Sequence, residues 1–237
     1  MKRKITLILA SLLCLPVISI AEERSVLNQD PSMRARMKDI KEDQKFRTKI
    51  DEAFSVYEAI TSNPQAPIPR NVLRDAKCIA VLPGVMTGAF IVGGTYGEGV
   101  ASCKNADNAW SQPAAISLSK GSIGLQAGAK SADMVLFFVS QSAASALKRG
   151  NFALGSDVSA IAGNYEATLD TSSAGVVVYT QTEGMFAGAS VSGSQIGIDK
   201  DELARYYNKK VDYTALLDGR EFPDQSGYTE KLTKLFP

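Results

Sequence analysis

Between Thr87 and Val139 the chain alternates short apolar runs with Gly, Ser, Asn and Asp, the pattern of several β-strands joined by tight turns. Gly93, Gly94, Gly97, Gly99, Gly124 and Gly128 fall inside these runs as well as between them. A glycine within a strand loses backbone entropy on folding and packs no side chain. This density therefore predicts a sheet that bends sharply or brings backbones unusually close. The expected fold class is α+β: a curved, barrel-like, mostly antiparallel β-sheet with a long N-terminal helix and short C-terminal helices.

Residues 1–21 read as a signal peptide. Lys2, Arg3 and Lys4 form a basic start, Ile5 to Leu15 is apolar but too short to span a bilayer, and Ser19-Ile20-Ala21 offers small residues at a cleavage site. A lipoprotein reading of Cys14 is weaker, because Leu13 sits where a small residue is wanted. Cleavage near Ala21 implies a periplasmic or secreted protein. Residues 22–30 are expected to be a flexible tail, and 31–237 a single domain. Asp30 and Pro31 open a helix that Asn63-Pro64 ends near Thr61. A helical turn is expected at 70–76, and strands at 78–82, 88–96, 98–104 and 134–139. A hairpin is expected around Lys120-Gly121, between 114–119 and 122–130. Further strands are expected near 153–162, 175–182 and 185–192. Ser140 and Gly150 bracket a short helix, Asp199 with Glu202 resembles a capping box, and Tyr228, Leu232, Leu235 and Phe236 mark a final amphipathic helix.

The composition excludes several chemistries. The chain has no histidine, which removes Ser-His-Asp and Cys-His catalysis and imidazole metal sites. The Ser117–Lys120 and Ser145–Lys148 pairs lack the companion motifs of Ser-Lys hydrolases. No glycine cluster has the order of a nucleotide loop. The expectation is a non-enzyme with no metal and no cofactor. Without Lys2, Arg3 and Lys4 the chain carries 23 basic and 25 acidic side chains, so no global charge points to nucleic acid. The mature chain keeps Cys78 and Cys103, and in an oxidising compartment two cysteines are expected to pair, the alternative being two buried thiols.

The long helix carries two faces. Phe46, Ile50, Ala53, Phe54, Tyr57 and Ile60 form a core-docking stripe. Arg34, Lys38, Lys41, Lys45 and Lys49 follow at spacings of 4, 3, 4 and 4 and align as a basic stripe beside Met33, Met37 and Ile40. Arg34, Met37, Lys38, Lys41, Lys45 and Lys49 are therefore the candidate lipid-binding residues. Cations near an anionic headgroup layer attract it, and the apolar side chains can enter beside them. The competing reading is a solvated face with local pairs such as Asp43–Arg47.

Six blocks carry a family resemblance: AKCIAVLPGV (76–85), GGTYGEGV (93–100), WSQPAAISL (110–118), GSIGLQAGAKSADMVLFF (121–138), LGSDVSAIAG (154–163) and VVYTQTEGMFAGASVSGS (177–194). In order and spacing they resemble the SYLF family of lipid-binding domains over roughly residues 45–210. Asn208 stands where that pattern has glycine. The resemblance implies binding of acidic membrane lipid through the N-terminal amphipathic helix, with actin binding in some fungal members. The expected function is non-enzymatic binding of anionic phospholipid or a membrane surface in the cell envelope. The alternative is a structural or protein-interaction module with an envelope protein partner. A hydrolase is the third reading.

Overall fold

A computed structural model describes residues 31–64, 67–89, 92–123, 128–155, 158–162, 175–182, 193–220 and 227–236. The signal peptide expected at 1–21, the tail expected at 22–30 and the strand expected at 185–192 lie outside the described residues. The chain divides into two compact units, Met1–Lys41 and Glu42–Pro237. Helix α1 (Pro31–Thr61) begins in the first and continues into the second.

The second unit is built on one sheet. Its strands are β1 (Cys78–Ala89), β2 (Val92–Cys103), β3 (Ala114–Ile123), β4 (Gly128–Phe138), β5 (Asn151–Ala153), β6 (Val158–Ala162), β7 (Val176–Thr182) and β8 (Gln195–Ile198). They lie in the order β5-β8-β3-β2-β1-β4-β7-β6, an open half-barrel. All neighbours are antiparallel except β6 and β7, which are parallel. The short helices are α2 (Arg70–Asp75), α3 (Gln141–Lys148), α4 (Lys200–Tyr206), α5 (Tyr213–Leu217) and α6 (Tyr228–Leu235).

The docking stripe of α1 is buried as its spacing requires: Phe46, Ile50, Ala53, Phe54, Tyr57 and Ile60 all belong to the core. Tyr57 packs on Phe137 of β4 and on Phe236 after α6, with ring centroids 6.3 and 4.5 Å apart. Trp110 meets the same Phe236 edge-on at 5.1 Å, and a bridge from Lys104 to Trp110 closes the loop that Asn105 turns. Ser140 Oγ accepts the Ala143 N–H, and Gly150 takes φ +82°, so α3 begins and ends where its caps stand. Cys78 and Cys103 face one another across β1 and β2 and are joined by a disulfide.

Three local expectations are corrected. Pro83-Gly84 does not end β1. The strand passes through as a bulge, with Gly84 at φ +57° and its N–H donated to Asp133 Oδ1 at 2.8 Å. The break expected at Gly97, between strands at 88–96 and 98–104, does not occur: Gly97, Glu98 and Gly99 are the interior of β2, opposite that bulge. A Cβ on Gly97 would stand 2.6 Å from Val85 Cγ2. One on Gly99 would fall on the Val81 carbonyl oxygen and stand 2.9 Å from Leu82 Cα. The glycines leave the gap into which the bulge presses, which is where the predicted close approach occurs. Lys120-Gly121 is not a hairpin turn either. Lys120 pairs with Thr95 and Gly121 with Gly94, so β3 continues along β2 and has β8, not β4, on its other side.

Candidate functional site

The basic stripe divides along the helix. In the first unit Arg34, Lys38 and Lys41 are exposed, as are Met37 and Ile40 at 57% and 60%. In the second unit Lys45 is exposed, whereas Lys49 is buried. A lysine one turn beyond Lys45 shares its face by spacing alone. Here it also abuts β2 and α4, which supply two carboxylates.

Lys49 Nζ donates to Glu98 Oε2 at 2.8 Å and to Glu202 Oε2 at 2.5 Å. The Lys49 and Glu202 side chains are 9% and 4% exposed, and that of Glu98 is 31% exposed. Tyr96 Oη donates to the other Glu98 oxygen at 2.7 Å. Burial pulls the Lys49 ammonium down, but hydrogen bonds to Glu202 and Glu98 more than offset it and hold the group above the ordinary lysine value. Lys49 first, and Tyr96 second, hold the Glu98 carboxyl below the usual carboxylate range. The bond to Glu98, with burial added, pushes the Tyr96 phenol up to about 12. This cluster is an ionic clasp that ties α1 to the sheet and to α4, and it leaves Glu202 Oε1 buried with no hydrogen-bond partner among the described residues. It is not a surface cation awaiting a lipid.

Glu202 also explains why the capping box is half formed. Asp199 Oδ1 accepts the Glu202 N–H at 2.9 Å, as an N-cap should. The Glu202 side chain turns away to Lys49 instead of back to the cap. Above the clasp lies a cleft of about 400 Å³ lined by Lys45, Thr48, Lys49, Glu52, Pro83 and Glu98. Arg47 points elsewhere, paired with Asp43 at 2.8 Å and stacked 5.4 Å over the Tyr206 ring. Among the described residues no group of three or more His, Cys, Asp or Glu could hold a metal ion, and no described helix is long and apolar enough to cross a membrane.

Residues 119–235 match the family described as Ysc84, Las17-binding protein actin regulator. The human SH3 domain-containing YSC84-like protein 1 is 30% identical over 180 residues, which cover 73% of this chain and 52% of that protein. The chain belongs to the Ysc84/SYLF domain family. Protein YSC84 of Saccharomyces cerevisiae is 32% identical over 161 residues, 65% of this chain and 34% of its own length. LAS seventeen-binding protein 3 of the same species is 31% identical over 164 residues, 66% and 36%. The SYLF chain thus spans about a third to a half of the length of these curated relatives. No solved structure matches it.

Within this SYLF domain, Asn208, where the resemblance led to an expectation of glycine, takes φ +50°. Asparagine is the residue that best tolerates the left-handed region without glycine's freedom, so the departure preserves the turn. Glu98 and Glu202 were not singled out as site residues from sequence. The signal available was a lone charge between two glycines in a strand, and a capping-box glutamate three residues after its cap.

Proposed function

We propose that this protein binds anionic membrane surface without catalysing a reaction, through the exposed cations Arg34, Lys38, Lys41 and Lys45. Met37 and Ile40 enter the headgroup layer beside them. The observation that carries the reading is the exposure of Met37 and Ile40, at 57% and 60%, on a helix segment whose cations are also exposed. Singly exposed apolar side chains are ordinary, but two at helical spacing beside aligned cations form an amphipathic surface element. Lys49 is left out because its charge is already satisfied. The known association of the family with lipid supports the same ligand class. In this reading the basic start and apolar run of residues 1–21 act as an export signal cleaved near Ala21, and the membrane is that of the cell envelope.

Each cation near an anionic surface contributes about 1 kcal/mol, so removing four should weaken binding by about three orders of magnitude. The test is cosedimentation with phosphatidylglycerol-containing vesicles at low and high salt. The parent should sediment with the vesicles and be released by salt. The Arg34→Glu, Lys38→Glu, Lys41→Glu, Lys45→Glu variant should stay in solution with an unchanged melting temperature. Equal binding by the folded variant would sink the helix as the lipid site. If the parent binds no vesicle at any salt, the protein-interaction reading takes its place. The name of LAS seventeen-binding protein 3, which describes binding to another protein, supports that second reading.

A further inference from the structure

The disulfide end of the sheet carries a second basic surface that the membrane reading does not use. A cleft of about 470 Å³ opens there, with Arg74, Lys77, Lys104, Asn108, Gln141 and Lys148 in its walls. Three of the lysines are fixed to one rung of backbone. The Lys104 N–H donates to the Lys77 carbonyl at 2.8 Å, and Lys148 Nζ donates to the Lys104 carbonyl at 3.3 Å. The next residues along, Cys78 and Cys103, are register partners held by the disulfide. The backbones bearing Lys77 and Lys104 therefore cannot move apart while the bridge is intact.

The carboxylates nearby are already shared. Asp75, which also lines the cleft, is bound by Arg74 at 2.8 Å, and Asp218 receives both Lys148 at 2.9 Å and Arg220 at 2.6 Å. Lys104 rests 5.0 Å over the Trp110 ring. Burial, and then the neighbouring Lys77 charge, hold its ammonium below the ordinary lysine value, with Asp75 offsetting only part. Two like charges kept adjacent in a concave, partly desolvated place are stabilised by an anion between them. Lysine ammoniums bind phosphate as point charges, and the volume suits a small polar ligand.

We propose that this cleft binds a phosphate-bearing anion, with Lys77 and Lys104 as its principal ligands and Lys148 and Arg74 at its margin. The chemistry is common to a soluble phosphate ester and to a lipid headgroup, so the test has two arms. Titration calorimetry of the oxidised full chain with glycerol 3-phosphate reads the soluble ligand. Cosedimentation with phosphatidylcholine vesicles containing phosphatidic acid reads the headgroup. This second arm uses the background in which Arg34, Lys38, Lys41 and Lys45 are reversed, so that failure of the helix reading and failure of the cleft are distinguishable. Lys77→Gln with Lys104→Gln removes both charges while leaving polar side chains in place, and should weaken binding at least tenfold in whichever arm shows it. Lys210→Gln, on an exposed residue outside the cleft walls, should leave glycerol 3-phosphate binding unchanged. Should the double variant fail to fold, acetylation of the parent mapped by mass spectrometry decides the matter. Glycerol 3-phosphate or the phosphatidic acid vesicle should protect Lys77 and Lys104, and not Lys120, from acetylation. Equal binding by the folded double variant, binding in neither arm, or no protection at Lys77 and Lys104 would overturn the proposal.

Discussion

Replacing Lys49 with methionine tests whether the clasp is structural. The substitution keeps most of the side-chain volume and removes the ammonium. It leaves Glu202, with a side chain 4% exposed, facing Glu98 with nothing between them. Removing one partner of a buried ion pair typically costs about 3–5 kcal/mol, because the other charge stays desolvated and unpaired. Glu98 is 31% exposed and can turn to water, so most of the penalty falls on Glu202. For a domain of this size about 1 kcal/mol corresponds to roughly 2–4 °C, so the melting temperature should fall by about 6–20 °C. Lys45→Met on the exposed face of the same helix should cost under about 0.5 kcal/mol. Adding Glu202→Leu should recover much of the loss, as apolar replacement of buried ion pairs commonly does. Urea unfolding followed by circular dichroism measures all four proteins. A change of less than about 1 kcal/mol in Lys49→Met would refute the clasp and return Lys49 to the basic stripe.

Three further outcomes follow from the geometry. Gly99→Ala should destabilise by at least about 1–3 kcal/mol, because its Cβ would meet the Val81 backbone rather than a movable side chain. Gly121→Ala, with nothing within 4 Å of the new atom, should be neutral or slightly stabilising, and equal unfolding midpoints for the two would contradict the close approach at the bulge. Glu98 has a folded-state pKa below its unfolded value, so its contribution is present above about pH 4.3 and is lost as pH falls through the folded value. Glu98→Gln should therefore flatten the acid limb of stability against pH, and an unchanged limb would show that the carboxylate is not held by Lys49 and Tyr96. Reducing the Cys78–Cys103 bridge, whose sequence separation is 25, should lower stability by about 3–4 kcal/mol in the chain-entropy picture, measured as a shift in denaturant midpoint with reductant.

The helix and its buried stripe were legible because a 3.6-residue period spans many turns, and the caps at Ser140 and Gly150 because each satisfies a local need. The glycine density pointed correctly to close backbone contact. What it could not give was the partner, since the bulge at Pro83-Gly84 lies in a different strand from Gly97 and Gly99. The Lys120-Gly121 hairpin was misread for the same reason. A turn signal is local, whereas the pairing that kept β3 extended comes from β2 on one side and β8 on the other. At the candidate site, Arg34, Met37, Lys38, Lys41 and Lys45 lie exposed on the helix, and the fate of Lys49 was decided by Glu98 and Glu202, 49 and 153 residues away in sequence.

The strand order also bears on how the chain assembles. β1, the first strand to emerge, sits inside the sheet, with β2 and β3 laid down on one flank and β4 and β7 on the other. β8 returns to β3 only after β7 has been made, and among the described residues the short β5 pairs only with β8, so the flank beyond β3 waits for β8. The hairpin of β1 and β2 is local and can oxidise its cysteines early, whereas closure by β8 depends on contacts about 80 residues apart. Such contacts pay loop-closure entropy before they return any stabilisation, so they form late. The chain should therefore pass through a state with an oxidised, paired centre and an unpaired β3 edge, the stage at which it is most open to association with other chains.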